Sequence, residues 1–172
     1  WAAFIVVVLS IIVGNAFLAL NTIQGLTQTQ KSLDNTSMLS SAIEQLHLSI
    51  VQAESGQRGY LLTEEDDYVT PYFGAIGQLE AQIDHVKSLH SEIDGQSERI
   101  AQLLVLAESK IKELKKTVNL ALDDKERRAL AILNTHNGRE LYKQIRERVN
   151  DIQDRELLFK VSHFSKLAQI KN

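Results

Sequence analysis

The chain has 172 residues, of which 44% are hydrophobic, 24% charged and only 6% aromatic. With no Cys there are no disulfides or thiolate metal sites, and one Pro leaves few forced breaks in long helices. A net charge of −3 argues against nucleic acid as a partner, because such binders carry a strong basic excess.

Charge is unevenly placed. The first charged residue is Lys31, and seventeen of the first twenty residues are apolar, with Ser10, Gly14 and Asn15 the exceptions. About 20 apolar residues at 1.5 Å rise span a hydrocarbon core of about 30 Å. The run is longer than the core of a signal peptide. Residues 1–20 are therefore expected to be a transmembrane helix in contact with lipid, and 21–172 a separate helical domain. Because the chain opens on Trp1 inside the run, a basic flank is expected to precede it. Ser10 and Gly14 form a small-xxx-small pair, a weak pointer to association of two such helices.

Beyond the anchor the pattern is helical throughout. Leu39, Ile43, Leu46, Ile50 and Ala53 recur at spacings of four and three, followed by Tyr72, Ile76, Leu79, Ile83 and Val86. The third stripe runs Ile100, Leu104, Ala107, Ile111, Leu114, Val118, Ala121, and the fourth Leu141, Ile145, Val149, Ile152, leading into Leu157, Leu158 and Phe159. Such a period demands a facing apolar partner. The expected fold is all-α: an antiparallel four-helix bundle with long first and last helices, preceded by the transmembrane helix. Helix one is expected to run from Asn21 to about Ser55, and helix four from Gly138 to Asn172. Thr70 and Pro71 read as N-cap and first residue of helix two. Ile93-Asp94-Gly95 reads as a break before helix three, with Ser97 as its cap. Asn137 and Glu140 read as a variant capping box, and Arg127–Leu133 as a short helical piece. Matched lengths would bring the last helix back to the membrane, where a second transmembrane helix is expected within about ten residues of Asn172.

The most distinctive string is Glu54-Ser-Gly-Gln-Arg-Gly-Tyr-Leu-Leu-Thr63, followed by an acidic run and Pro71-Tyr72. Glu54 and Arg58 make an i,i+4 pair with the acid first. Gly56 and Gly59 weaken a helix unless another backbone or ring approaches closely there. Tyr60 offers an apolar ring with one hydroxyl. Two roles are open for Gln57 and Arg58. Arg58 can close the distal end of the bundle by hydrogen bonding helix ends, or the pair can bind an anionic or polar signal. The structural role is favoured.

Other chemistry is sparse. Glu64, Glu65, Asp66 and Asp67 read as a solvated turn favourable to a helix N-terminus rather than a metal site. His47, His85, His90, His136 and His163 never form an i,i+4 ligand pair. Lys110, Lys112, Lys115 and Lys116, interleaved with Glu108 and Glu113, read as a solvated helix face. Glu156 falls near the apolar stripe of the last helix and needs a partner, expected to be a nearby Lys or Arg or the mate in a dimer. No catalytic residue, metal or cofactor is expected.

The string resembles the hallmark of the CHASE-type extracellular sensor domains, third class. Glu54, Gly56, Gln57, Arg58, Gly59, Tyr60, Leu61, Leu62, Thr63, Pro71 and Tyr72 all fall in step with it. Ala129–Leu133, Gly138–Leu141 and Ile145-Arg146 look like its weaker second half. The resemblance implies a helical bundle outside the cytoplasmic membrane, flanked by two membrane helices and feeding an intracellular output module. Such outputs include histidine kinases, diguanylate cyclases and chemotaxis receptors. It implies an unidentified small-molecule or protein signal, and a homodimer is expected. The rival readings are a membrane-anchored dimerising scaffold and a helical-bundle enzyme. The enzyme would need inward Glu and His at bundle spacing.

Overall fold

A computed structural model describes the backbone of residues 1–170 and the side chains of Trp1 and residues 4–165. Among the described residues five helices follow one another: α1 (Ala2–Thr63), α2 (Asp66–Ser88), α3 (Gln96–Leu122), α4 (Glu126–Leu133) and α5 (Asn137–Ile170). Among the described residues there is no strand. The four long helices run alternately up and down as an antiparallel bundle. α2 lies chiefly on α1, and α5 on α3 and α1. The expected end of the last helix at Asn172 lies outside the described residues.

The four stripes make the core. Leu39, Ile43, Leu46, Ile50 and Ala53 from α1 are fully buried, and they meet Tyr72, Leu79, Val86, Leu103, Leu114, Val118, Ile145 and Ile152. The stripe of α5 stops at Ile152, and Leu157 and Leu158 are exposed. The short α4 buries Ala129 against Leu61 and Ala121 and closes the far end.

α1 is one helix of 62 residues, about 93 Å long. It continues past Ser55 through the Glu54–Thr63 string, so that string lies in a helix rather than in a connection. Burial on α1 begins at Ser32 and Thr36, and below them every apolar side chain from Phe4 to Leu26 is exposed. This lower part is long and apolar enough to cross a membrane.

The junctions differ from the sequence expectations in three places. α1 ends at Glu64, whose left-handed backbone (φ 59°) returns its N–H to the Tyr60 carbonyl. The Thr63 hydroxyl accepts the Glu65 N–H at 3.2 Å. This turn is so short that α2 starts at Asp66, and Pro71 sits inside the helix instead of opening it. Pro71 and Asp67 are both exposed, so the carbonyl left without a donor by the proline ring is open to water. Asp66 and Asp67 occupy the first turn, where the helix dipole favours them. At α3, Gly95 (φ 70°) takes the N-cap position and Gln96 is the first helical residue, displacing Ser97. At α5, His136 (φ 62°) precedes Asn137, which is already helical. The Asn137–Glu140 capping box does not form among the described residues, and the Glu140 N–H bonds to the His136 carbonyl at 3.0 Å.

Candidate functional site

The end of the bundle away from the apolar helix holds a buried ionic cluster. Lys110, on α3, is 1% exposed. Its Nζ donates to Glu113 Oε2 at 2.9 Å and to the Gly138 carbonyl at 3.1 Å, and lies 3.6 Å from Glu54 Oε2. One ammonium therefore ties α1, α3 and α5 together through two hydrogen bonds and one longer ion pair. This corrects the expectation that Lys110 and Glu113 belong to a solvated face. The stripe of α3 is wide enough at this level to carry them inward, where each charge offsets the other's desolvation. Lys112 and Lys116 are exposed as expected, and Lys115 pairs with Glu80 on α2.

Gly138 makes room for this arrangement. A Cβ there would come within 3.0 Å of both Glu113 carboxylate oxygens. The carboxylate packs against the first turn of α5, the electropositive end of that helix.

Beside the cluster, Gln57 is fully buried and its amide donates to the Thr117 hydroxyl. That hydroxyl is turned toward the Glu113 and Leu114 carbonyls, which leaves its lone pairs to accept from Gln57. Gln57 Oε1 and the Tyr72 hydroxyl are buried without a partner among the described residues. Burial, reinforced by the negative charge of Glu113, pushes the Tyr72 phenol well above its ordinary pKa, so it stays neutral.

Arg58 does not cap helix ends. Its side chain is 54% exposed on the outer face of α1, and among the described residues its Nη2 donates only to Glu54 Oε1, at 2.6 Å. The tie expected of Arg58 is made by Lys110, one residue type removed and on another helix. The two glycines behave as the close-approach reading expects. A Cβ on Gly59 would run into the ring of Tyr68, and one on Gly56 would lie 2.9 Å from Tyr72 Cβ and 3.0 Å from the Tyr68 carbonyl. Here α2 crosses tightly over the end of α1. Tyr60 is half-buried and packs against the core, Thr63 closes the turn, and exposed Pro71 lies beside Gly56 and Tyr68. The structure thus gathers Glu54 and Gln57 into the buried cluster and leaves Arg58 at its rim. Gly56, Gly59, Pro71 and Tyr72 serve the packing of α2.

Sequence reasoning missed Lys110, Glu113, Thr117 and Gly138. A usable signal existed: Lys110, Glu113 and Thr117 are spaced by three and four and lie directly beside the apolar stripe. An open cavity of about 380 Å³ covers the cluster, lined by Glu54, Arg58, Leu62, Lys110, Leu133, Asn134, His136, Gly138 and Arg139.

A second polar site lies at the opposite end of the bundle, where α1 and α5 leave it. Glu156 is 1% exposed, and neither carboxylate oxygen has a hydrogen bond of normal geometry. Burial raises its pKa above the ordinary carboxylate value, while Ser40, Lys160 and Gln96 nearby pull it partly back. Of the partners expected for Glu156, a nearby lysine is present one turn along α5, but no ion pair forms among the described residues.

The family model described as CHASE3 domain matches residues 29–158. The fold is similar to the sensor domain of the Rhodopseudomonas palustris histidine kinase HK9, with a TM-score of 0.65 and 24% identity. That match covers 73% of this chain and 98% of the other. It is also similar to a periplasmic sensor domain of a sensor histidine kinase, with a TM-score of 0.62, 16% identity, and 76% and 91% of the two chains covered. No curated protein matches the chain.

Proposed function

The chain belongs to the CHASE3 domain family, and on that footing we propose that it is the extracytoplasmic signal-input domain of a transmembrane receptor. The output we favour is a histidine kinase, carried beyond a second membrane helix. The fragment does no chemistry itself. It converts a change at the distal cluster into a displacement of α5 relative to α1, and the membrane helices carry that displacement inward. In this reading α1 anchors the domain in the bacterial inner membrane, the bundle stands on the periplasmic or extracellular side, and two copies pair.

The observation that carries the proposal is the continuity of α1. The same unbroken helix supplies the exposed apolar stretch at one end and Glu54, Gln57 and Arg58 at the other. The ionic cluster joins it to α5, the other helix that continues out of the bundle at the opposite end. A coupling of about 1–3 kcal/mol between site and output is typical of such two-state elements. A dimerising scaffold with no ligand has no need of a buried Lys110 between two carboxylates. A well-packed apolar core at that position is as stable or more so.

Two experiments test this. Alkaline phosphatase inserted in the Glu64–Glu65 turn is expected to be active, since that enzyme matures outside the cytoplasm, and an inactive fusion refutes the topology. The chain fused in register to the second membrane helix and kinase of a characterised receptor is expected to change its autophosphorylation when Lys110 is replaced by Met. Kinase activity indifferent to every substitution in the cluster refutes signal input.

A further inference from the structure

The cavity over the ionic cluster has walls from three places in the chain. α1 gives Glu54, Arg58 and Leu62, α3 gives Lys110, and the α4–α5 junction gives Leu133, Asn134, His136, Gly138 and Arg139. Its volume, about 380 Å³, is within the range of small-molecule sites. The floor is committed to the protein, because Lys110 is 1% exposed, hydrogen-bonded to Glu113 and the Gly138 carbonyl and ion-paired with Glu54. The rim is not. Arg139 is exposed and has no ion pair or side-chain hydrogen bond among the described residues. Arg58 spends one nitrogen on Glu54 and turns the rest of its fork to solvent.

The charges do not cancel. Arg58, Lys110 and Arg139 stand against Glu54 and Glu113, leaving one positive charge over from the Lys, Arg and Glu side chains. Leu62 is 77% exposed, an apolar side chain of α1 at the same mouth. Leu133 faces it from α4. A monoanion with an apolar body fits both features. An inorganic phosphate, with a charge near −2, overshoots the surplus and leaves the leucines uncovered.

We propose that this cavity is the signal site and takes a small organic monocarboxylate, held by Arg58 from α1 and Arg139 from α5 with its apolar body between Leu62 and Leu133. The proposal deepens the signal-input reading and rests on it for its biological role. The carboxylate bridges the two helices that leave the bundle together, so occupancy draws their distal ends toward one another. Arginine suits both posts, because its planar fork matches a carboxylate.

The test uses the 172-residue chain in lipid nanodiscs, with hexanoate, hexanol, acetate and inorganic phosphate as probes in isothermal titration. Hexanoate is expected to bind more tightly than the other three. Arg139→Ala and, separately, Arg58→Ala are expected to weaken hexanoate at least about tenfold, the scale of one lost charge-assisted hydrogen bond. Both residues are exposed, so neither variant is expected to unfold. Hexanol binding as well as hexanoate, phosphate binding more tightly, no heat with hexanoate at millimolar concentration, or full affinity in Arg139→Ala each overturns the site. Spin labels at Gln30 and Ser165 separate the two levels of the proposal. Hexanoate that binds and shifts their distance supports both. Hexanoate that binds without any shift leaves the site standing and refutes its role in signal input.

Discussion

Replacing Glu156 by Gln is expected to stabilise the domain at neutral pH and to do nothing in acid. The carboxyl is almost wholly buried where α1, α3 and α5 meet, and among the described residues neither oxygen has a hydrogen bond of normal geometry, although the Ser40 hydroxyl and the Gln96 amide lie close enough to lower its pKa. The groups that face it from α1 and α3 are Ser40 and Gln96, both neutral. Of the charged side chains in the first turn of α3, Glu98 is exposed and accepts from Gln102, and Arg99 is engaged by Asp151 at 3.1 Å. On α5 itself only Lys160 lowers its pKa through charge. Burial outweighs these influences, so the folded state holds the proton more tightly than the unfolded chain. Below the ordinary carboxylate pKa both states are protonated and the group costs nothing. As pH rises from there to the raised folded value, the unfolded chain loses its proton first and stability falls, by up to about 1.4 kcal/mol per pH unit. Above the folded value the penalty is complete and constant. Glu156→Gln removes the slope, and its amide can donate to Gln96 Oε1, which is itself buried without a partner. For a domain of this size each kcal/mol moves the melting temperature by about 2–4 °C. Circular dichroism melts of wild type and variant, from pH 4 to pH 8, are expected to coincide in acid and diverge progressively, with the variant the more stable. A constant difference across that range, or a wild type that is the more stable at pH 7, means the carboxylate is paired and refutes the reasoning.

The other substitutions address the distal end. Lys110→Met leaves two buried carboxylates facing each other and is expected to cost about 3–5 kcal/mol, read by denaturant unfolding. Arg58→Ala removes the exposed partner of a part-buried i,i+4 pair whose carboxylate keeps Lys110, and is expected to lower stability by less than about 1 kcal/mol in the same assay. Gly59→Ala forces the Tyr68 ring aside and is expected to cost about 1–3 kcal/mol, most of it regained in the double variant with Tyr68→Ala. A chain beginning at Asn21 is expected to be soluble, helical and only weakly dimeric by ultracentrifugation, since the two protomers lose their shared membrane.

Periodicity made most of the fold legible. The stripe residues from Leu39 to Ala53, from Tyr72 to Val86 and from Ile100 to Ala121 are buried as their spacing requires. Boundaries were less legible, because they depend on backbone more than on pattern. Glu64 and His136 adopt left-handed conformations that nothing in their chemistry announces, and the tight turn at Glu64 carries α2 five residues upstream of Pro71. The buried charges were the least legible. Lys110 and Glu113 have the same composition as the solvated pairs around them. Only their angular position on α3, together with a glycine on α5 to receive Glu113, distinguishes them. The Arg58 role went astray for the same reason: a sequence shows that an arginine is near a helix end but not which way it leans.

The unbroken course of α1 has a consequence for how the chain tolerates changes in length. Between Leu26 and Ser32 the helix leaves its apolar half and enters the bundle without a turn, a proline or an irregular residue. Each residue inserted there turns everything below it by about 100° relative to everything above. Inserting three or four residues comes close to one full turn, and seven come within about 20° of two. A single residue, or two, swings the lower rod to a different face. The segment therefore works like a gear of fixed tooth spacing. Insertions or deletions of seven residues should leave the orientation of the apolar half nearly intact while lengthening or shortening the rod by about 10 Å, whereas a two-residue change, far smaller in reach, turns it by about 200° and should misalign it most.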